Sequence, residues 1–178
     1  MKVKSIKERI MQYFFLNPTE RLRVRQIERA VKVPLPSAIL YAKEMEKEKM
    51  IKSSIISGAN LYSADRSSIK FLYEKRLFNI GSLYKSGLVE FLITEYSNPT
   101  IAVFGSYSKG EDIEKSDIDL YVETTKKIAG LERFEKVLQR PIQIFSYRNF
   151  QKIENKNLAN SILNGVVLNG FLEAFISG

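Results

Sequence analysis

Two carboxylates at alternate positions follow a glycine–serine pair in the middle of this 178-residue chain. Gly105 and Ser106 end an apolar run, and ten residues separate Ser106 from Asp117, with Asp119 two positions further on. Polar and apolar residues alternate in the segment that starts at Asp117, which predicts a β-strand with both aspartates on one face. Two carboxylates in this position provide the oxygen ligands that Mg²⁺ or Mn²⁺ prefers.

The residues around Gly105 are of types that bind phosphate. The preceding run, Ile101 to Phe104, predicts a buried strand, and glycine after it lets a phosphate approach the backbone. Ser106 adds a hydroxyl group, and Lys109 adds a positive charge. If a helix opens at Ser106, its free N–H groups also favour an anion. The sequence therefore predicts a phosphate site and a metal site in one strand–turn–strand unit.

This arrangement resembles the active-site motif of the minimal nucleotidyltransferases of the polymerase-β-like superfamily. Their motif is Gly-Ser, ten residues and Asp-x-Asp, with a basic residue and a glycine in the gap. Here Lys109 and Gly110 occupy the gap positions, and Ser116 precedes the first aspartate. The resemblance implies an NTP as substrate or ligand, Mg²⁺ (or Mn²⁺) as cofactor, and Asp117 and Asp119 as catalytic metal ligands.

The chain departs from this family at the third carboxylate, which the resemblance places on the next strand. That strand is predicted over residues 141–146, and the matching position is Gln143, a neutral amide. Glu123 lies about 13 Å beyond Asp119 along a strand, which is too far for Glu123 to serve as the third carboxylate. An amide cannot accept a proton, and loss of a general base costs about 10²–10⁴ in rate. Nucleotide binding could survive this change without turnover.

Composition excludes several other kinds of site. The chain contains no cysteine and no histidine, which rules out disulfides, Cys/His zinc sites and Ser–His–Asp catalysis. No apolar run approaches the length of a membrane span, and no signal peptide is expected at the N-terminus. We therefore expect a cytoplasmic protein without a membrane partner.

The positive charge is concentrated in the first third of the chain. The net charge is +8, of which residues 1–66 contribute 14 Lys/Arg and 7 Asp/Glu, or +7, whereas residues 67–178 contribute 14 and 13, or +1. This asymmetry suggests a nucleic-acid partner for residues 1–66.

Residues 1–66 resemble a winged helix-turn-helix domain, and this resemblance implies a DNA-binding module. The pattern predicts helices over residues 3–16 and 24–31, a third helix N-capped by Ser37, and a hairpin over residues 51–63. The resemblance implies duplex-DNA contacts from the third helix and the hairpin, which are Ser37, Tyr41, Lys43 and Lys52. Because the third helix also contains three glutamates, a protein-interaction or dimerisation module is the alternative.

The remaining elements complete an α+β protein. Residues 67–98 are predicted as a helical linker or the first helices of the second domain, with a break between Gly81 and Gly87. The first piece either links the domains or forms a homodimer contact, and the second piece packs under the strand that follows Thr100. Residues 99–178 form the nucleotidyltransferase-like α/β sheet domain. Its further predicted elements are helices over 131–138, 147–155 and 157–163, strands over 141–146 and 165–168, and an apolar segment over 171–176.

Three functions are compatible with this organisation. The first is an enzyme that transfers a nucleoside monophosphate from an NTP to a hydroxyl acceptor. The second is a DNA-binding transcriptional regulator whose degenerate domain only binds nucleotide. The third is an antitoxin, because minimal nucleotidyltransferases with this motif pair with helical toxin proteins.

Overall fold

The computed structural model describes residues 4–174, and it divides into two compact units, Met1–Phe78 and Asn79–Gly178. The division falls inside one helix, α4, which spans Ile69–Lys85. The mixed α+β architecture predicted from the sequence is confirmed.

The first unit contains three helices followed by a hairpin. They are α1 (Ile6–Leu16), α2 (Val24–Val31), α3 (Leu35–Lys47), β1 (Ile51–Ile56) and β2 (Ala59–Ala64). Ser5 begins α1 with a capping box, in which its hydroxyl accepts from the Glu8 N–H while the Glu8 carboxylate accepts from the Ser5 N–H. Leu22 exchanges two backbone hydrogen bonds of 2.8 Å with Tyr62 of β2. The segment before α2 is therefore joined to the hairpin by a single antiparallel bridge.

The hairpin turn follows from two residues in the left-handed region. Ser57 has φ 48° and Gly58 has φ 74°, as expected for a two-residue turn that matches the twist of antiparallel strands. The apolar faces of the three helices pack on this hairpin in one core, with Ile10, Phe14 and Ile27 fully buried.

The third helix begins earlier than the sequence predicted. Pro34 lies at its N-cap and Leu35 is its first residue, so Ser37 lies within the first turn and is not the cap. Proline is favoured in the first helical turn because its missing N–H would have no partner there. Pro36 therefore does not delay the start of α3.

The second unit is built around a four-stranded mixed sheet. Its elements after α4 are α5 (Leu88–Glu95), β3 (Ile101–Phe104), α6 (Gly105–Lys109), β4 (Ile118–Glu123), α7 (Glu132–Leu138), β5 (Ile142–Tyr147), α8 (Lys156–Leu163) and β6 (Val166–Asn169). The strand order is β5-β4-β3-β6. Strand β3 is antiparallel to both β4 and β6, whereas β4 and β5 are parallel and joined through α7.

The two faces of this sheet are buried in separate clusters. Ile118, Leu120 and Val122 of β4 pack with Leu88 and Leu92 of α5 on one face. Tyr121 and Phe104 pack on the other face with residues of α8 and of the segment before it. Burial on both faces explains why β3 is an uninterrupted apolar run. The break expected between Gly81 and Gly87 lies at Ser86 and Gly87, between α4 and α5.

The helix predicted over residues 147–155 is wrong. Strand β5 continues to Tyr147, Asn149 is extended, and only Phe150–Lys152 forms a single 3₁₀ turn. Phe150 and Ile153 are buried against the sheet, and the Phe150 N–H donates to Glu123 Oε1 at 2.9 Å. This tertiary contact outweighs local helix propensity. The apolar segment predicted over 171–176 forms no regular element up to residue 174, and its last two residues lie outside the described range.

Among the described residues, no helix is both long and apolar enough to span a membrane.

Candidate active site

The sheet brings the two halves of the motif together at one edge of the β3–β4 pair. Phe104, the last residue of β3, pairs with Asp119 near the start of β4. Because the strands are antiparallel, the start of α6, which follows β3, lies beside the end of β4 that contains Asp119 and is preceded by Asp117. The structure thus brings together Gly105, Ser106 and Asp119, which the sequence predicted as parts of one site.

Gly105 is required by the position of Asp119. It has φ +69°, and a side chain placed there would overlap the Asp119 carboxylate oxygen Oδ2. A left-handed conformation costs an ordinary residue about 1–2 kcal/mol even without such an overlap. The glycine therefore permits both the turn into α6 and the close approach of the carboxylate to the backbone.

The two aspartates have no compensating positive charge. Within residues 4–174, neither the Asp117 nor the Asp119 side chain forms a salt bridge or accepts a hydrogen bond. Asp117 is exposed just before β4, and Asp119 is half-buried. Burial raises the pKa of the Asp119 carboxyl above its usual value, and the negative charge of Asp117 adds to the rise. Such a pair gains from a bound cation.

Gln143 is the neighbour of Asp119 on the other side. The parallel register of β4 and β5 pairs Asp119 with Gln143, so their side chains share one face of the sheet. Gln143 is exposed rather than buried in a core. The Gln143 amide thus lies beside Asp119, at the position that the motif resemblance assigns to the third carboxylate. Its effect on catalysis stays a prediction.

The donor set suits a small, hard cation. Among the described residues, no group of three or more carboxylate, histidine or cysteine side chains could hold a metal ion. Mg²⁺ fits two carboxylates, because it keeps several waters and takes its remaining ligands from substrate phosphates. Asp117 and Asp119 are the residues that would hold it.

Glu123 is not part of this site. Its Oε1 accepts hydrogen bonds from the Tyr121 hydroxyl and from the Phe150 N–H, both at 2.9 Å. These bonds hold the 3₁₀ turn after β5 in place. They also occupy Glu123 away from the two aspartates, which agrees with its predicted distance from Asp119 along the strand. Burial, followed by this hydrogen bond, raises the pKa of the Tyr121 hydroxyl.

A buried polar cluster, not predicted from the sequence, supports the loop that leads to Asp117. Asn79 of α4 donates from Nδ2 to the Tyr107 carbonyl at 2.9 Å and to Asp112 Oδ1 at 2.7 Å. Asp112 Oδ2 lies 3.7 Å from Nη2 of Arg140, a residue that lies two positions before β5. All three polar side chains are at most 5% exposed. Asp112 thus anchors the loop between α6 and β4.

The loop itself is closed by short-range hydrogen bonds. The Ile113 N–H donates to Ser116 Oγ at 2.9 Å, and the Ser116 N–H donates to the Ile113 carbonyl at 3.0 Å. Ser116 therefore shapes the turn that delivers Asp117 to β4. In the sequence, Asp112 is one of several acids in the ten-residue gap, and nothing distinguishes it from a solvated loop residue.

Lys109 ends α6 and is exposed, and Gly110 after it adopts φ 75° as the helix C-cap. Ser106 is half-buried in the first turn of the same helix. Both side chains lie on the segment that follows Gly105, and their phosphate contacts stay predictions.

The four residues predicted to contact DNA differ in exposure. Ser37 and Tyr41 are half-buried in α3, and Tyr41 packs against the core of the first unit. Lys43 is exposed, whereas Lys52 Nζ lies 3.7 Å from Asp65 Oδ1. Of the four, Lys43 alone is an exposed cation without a salt bridge in the described part of the chain.

The acidic residues of α3 are used within the first unit. Lys7 Nζ of α1 lies 2.5 Å from Glu44 Oε1 and 2.6 Å from Glu48 Oε1. Lys70 Nζ lies 3.5 Å from Glu48 Oε2, and Glu46 accepts hydrogen bonds from Ser53 of β1. These acids therefore stabilise the packing of α3 and do not form an acidic outer face.

Residues 85–169 match the family model described as the nucleotidyltransferase domain. The matched segment begins at the end of α4 and ends with β6, so it contains the whole sheet, both aspartates and Gln143. Searches of curated proteins and of solved structures gave no significant match. The match covers slightly less than half of the chain, and it supports the nucleotidyltransferase superfamily and a nucleotidyl-transfer function for the second unit.

Proposed function

We propose that this protein transfers a nucleoside monophosphate from an NTP to a hydroxyl acceptor, with Mg²⁺ or Mn²⁺, and that its first unit is a winged helix-turn-helix that binds duplex DNA. The observation that supports the transfer reaction best is the pair of uncompensated carboxylates, Asp117 and Asp119, beside the side-chain-free backbone of Gly105. This pair lies within the segment that matches the nucleotidyltransferase model.

The roles of the residues follow from their positions. Asp117 and Asp119 hold the cation, which, when bound, neutralises charge on the triphosphate. Gly105 and Ser106 bind the triphosphate through the backbone and the hydroxyl group, and Lys109 binds an outer phosphate. The acceptor oxygen bonds to the α-phosphorus while the bond to the β-phosphate oxygen breaks and pyrophosphate leaves. Positioning and charge neutralisation supply most of the rate enhancement in such reactions.

The acceptor proton leaves to solvent in this scheme. Gln143 stands beside Asp119 and can lend a carbonyl oxygen, but it cannot take the proton. This observation favours a second candidate function, in which the second unit binds Mg²⁺–NTP without turnover. The chain would then act as a DNA-binding regulator, or as an antitoxin that holds a helical toxin protein.

The test uses the full chain, each α-labelled NTP, Mg²⁺ or Mn²⁺ and whole-cell lysate as the source of acceptors. Labelled product is expected with the wild type and not with Asp117→Asn/Asp119→Asn. Glu111→Gln/Glu154→Gln removes two exposed carboxylates elsewhere and should keep transfer. Calorimetry of Mg²⁺–NTP binding separates the two functions. Binding without transfer supports the second, and an affinity unchanged by the aspartate substitutions overturns the metal site.

A further inference from the structure

The densest group of uncompensated positive charges in the described part of the first unit lies on α2 and the segment before it. Five of the twelve residues from Arg21 to Lys32 are basic and one, Glu28, is acidic. All five basic residues are exposed, and we call them the α2 surface; they are Arg21, Arg23, Arg25, Arg29 and Lys32. In the part of the chain that the structure describes, none of them forms a salt bridge.

We infer that the α2 surface binds the phosphodiester backbone of a nucleic acid. The inference rests on the proposed DNA-binding function of the first unit and names a different surface for it. Elsewhere in the described part of this unit, Lys7, Lys52 and Lys70 contact carboxylates, whereas Lys43 and Lys47 of α3 are exposed without a salt bridge. The exposed positions of α3 include the apolar residues Ile39 and Leu40, which offer nothing to a phosphate.

The spacing of the basic side chains on α2 matches the spacing of phosphates along a duplex. Arg25, Arg29 and Lys32 are separated by four and three positions, so they lie on one side of the helix over about 10 Å. About 10 Å of duplex axis contains about three phosphates per strand. The same three side chains line an open groove of ≈ 680 Å³, together with Glu28, Val33 and Leu35. This groove can accommodate the sugar–phosphate backbone of one nucleic-acid strand.

Two other features point to a nucleic acid as the occupant. Four of the five cations are arginines, whose planar guanidinium groups bind phosphate oxygens in pairs. No large apolar side chain is exposed between residues 20 and 34 of the described chain. Membrane-binding helices present such side chains to the lipid, and protein interfaces bury them at their centre. Interfaces with nucleic acid are more polar and more basic.

The test measures binding of the full chain to fluorescein-labelled duplex DNA by anisotropy, between about 50 and 200 mM salt. Arg25→Gln/Arg29→Gln should reduce the slope of log K against log salt by about one per lost contact. Arg25→Lys/Arg29→Lys keeps both charges and should keep most of the slope, which shows that the loss does not come from misfolding. Lys126→Gln/Lys127→Gln, two exposed lysines of the second unit, is the control for net charge.

A second comparison separates this surface from the residues of α3 and the hairpin. If the wild type binds duplex and only Lys43→Gln/Lys52→Gln lowers the slope, the inference is wrong while DNA binding by the first unit stands. If the wild type binds no duplex at any salt concentration, both fail, and nucleotide transfer at Asp117 and Asp119 remains an independent question. Binding to phosphatidylserine vesicles without binding to duplex also overturns the inference.

Discussion

Asp117 and Asp119 show how a binding site can be costly for the fold that contains it. Their charges lie close together without a cation or a hydrogen-bond donor from the described residues, and burial adds to the cost at Asp119. Both carboxylates are therefore held by the backbone of the turn and strand rather than by interactions of their own. A cation bound at the proposed metal site would offset this cost.

This cost predicts the effect of Asp119→Asn on stability. Because the pKa of Asp119 is raised in the folded state, its stabilising contribution is complete below the unfolded pKa of about 3.9 and is lost as the pH rises through the folded pKa. In EDTA near neutral pH, the variant should melt about 1–4 °C higher than the wild type, which corresponds to about 0.3–1 kcal/mol for a chain of this length after solvent screening of the partly exposed carboxylate.

The melting difference should disappear as the pH falls below about 4, because the wild-type carboxyl is then protonated as well. Glu111→Gln removes an exposed acid and serves as the control. Melting curves from acid to neutral pH check the result. A variant less stable than the wild type at neutral pH would show that Asp119 has a stabilising partner.

Gln143 allows the opposite change. Gln143→Glu keeps the length of the side chain and adds a carboxylate beside Asp119, on the paired position of β5. We expect transfer to rise at least tenfold, a barrier decrease of about 1.4 kcal/mol, and the metal-free protein to become less stable, because three clustered acids repel each other.

The measurement is the rate of labelled transfer with and without Mg²⁺, together with the melting temperature in EDTA. Gln139→Glu changes an exposed residue between α7 and β5 and is the control for added charge. A variant with unchanged transfer and unchanged metal affinity would mean that the residue at position 143 does not reach the cation.

At the scale of elements, local patterns predicted most of the fold. The alternation in β4, the apolar run of β3 and the hairpin over residues 51–63 were each indicated by the order of successive residues, and α2 has the predicted bounds. The failures differ in cause, because a contact with distant Glu123 overrides the helix predicted over residues 147–155, whereas the start of α3 is decided by its own first turn. Ser37 matched an N-cap, but the two prolines before it are compatible with a helix that has already begun.

The candidate site shows the same division. The motif identified Gly105, Ser106 and both aspartates, because its spacing is a local property of one strand–turn–strand unit. The Asn79, Asp112 and Arg140 cluster joins a helix, a loop and the start of a strand, and no local pattern indicates that these side chains are buried together. Likewise, no local pattern indicates that the arginines of the α2 surface lack acidic partners, because the acids of α3 contact Lys7 and Lys70 of other helices.

The contact between α1 and α3 predicts a pH-dependent contribution to stability. Hydrogen bonds from Lys7 lower the pKa of Glu48, and bonds to Glu44 and Glu48 raise the pKa of Lys7. The Glu48 contribution is present above its unfolded pKa of about 4.3 and is lost as the pH falls through the folded pKa. The Lys7 contribution is lost as the pH rises through its raised pKa, above about 10.4.

Lys7→Met should therefore lower stability between these limits, and the difference should shrink in acid. Because all three side chains are partly exposed, we expect only about 0.5–1 kcal/mol after solvent screening. Lys47→Met, an exposed lysine of α3 without a salt bridge among the described residues, is the control. Urea unfolding at several pH values measures the difference, and a pH-independent loss would attribute the effect to packing of the lysine stem.

At the scale of the whole molecule, each unit has a hydrophobic core and a proposed ligand of its own. The core of the first unit contains Ile10, Phe14 and Phe71, and that of the second contains Leu92, Val103 and Leu120 together with a cluster on the other sheet face. The positive charge lies in the first unit, and the uncompensated acidic pair lies in the second. The two binding functions should accordingly be separable by substitution.

The last prediction tests this separation in the full chain. Asp117→Asn/Asp119→Asn should abolish Mg²⁺–NTP binding and leave duplex affinity within about twofold, a change of about 0.4 kcal/mol. Arg25→Gln/Arg29→Gln should weaken duplex binding and leave nucleotide affinity unchanged. Calorimetry and anisotropy on the same samples measure both affinities. If saturating Mg²⁺–NTP shifts duplex affinity in the wild type, linkage requires DNA to shift nucleotide affinity by the same factor. That result would contradict independence and would support a nucleotide-sensing regulator over a transferase with a separate DNA anchor.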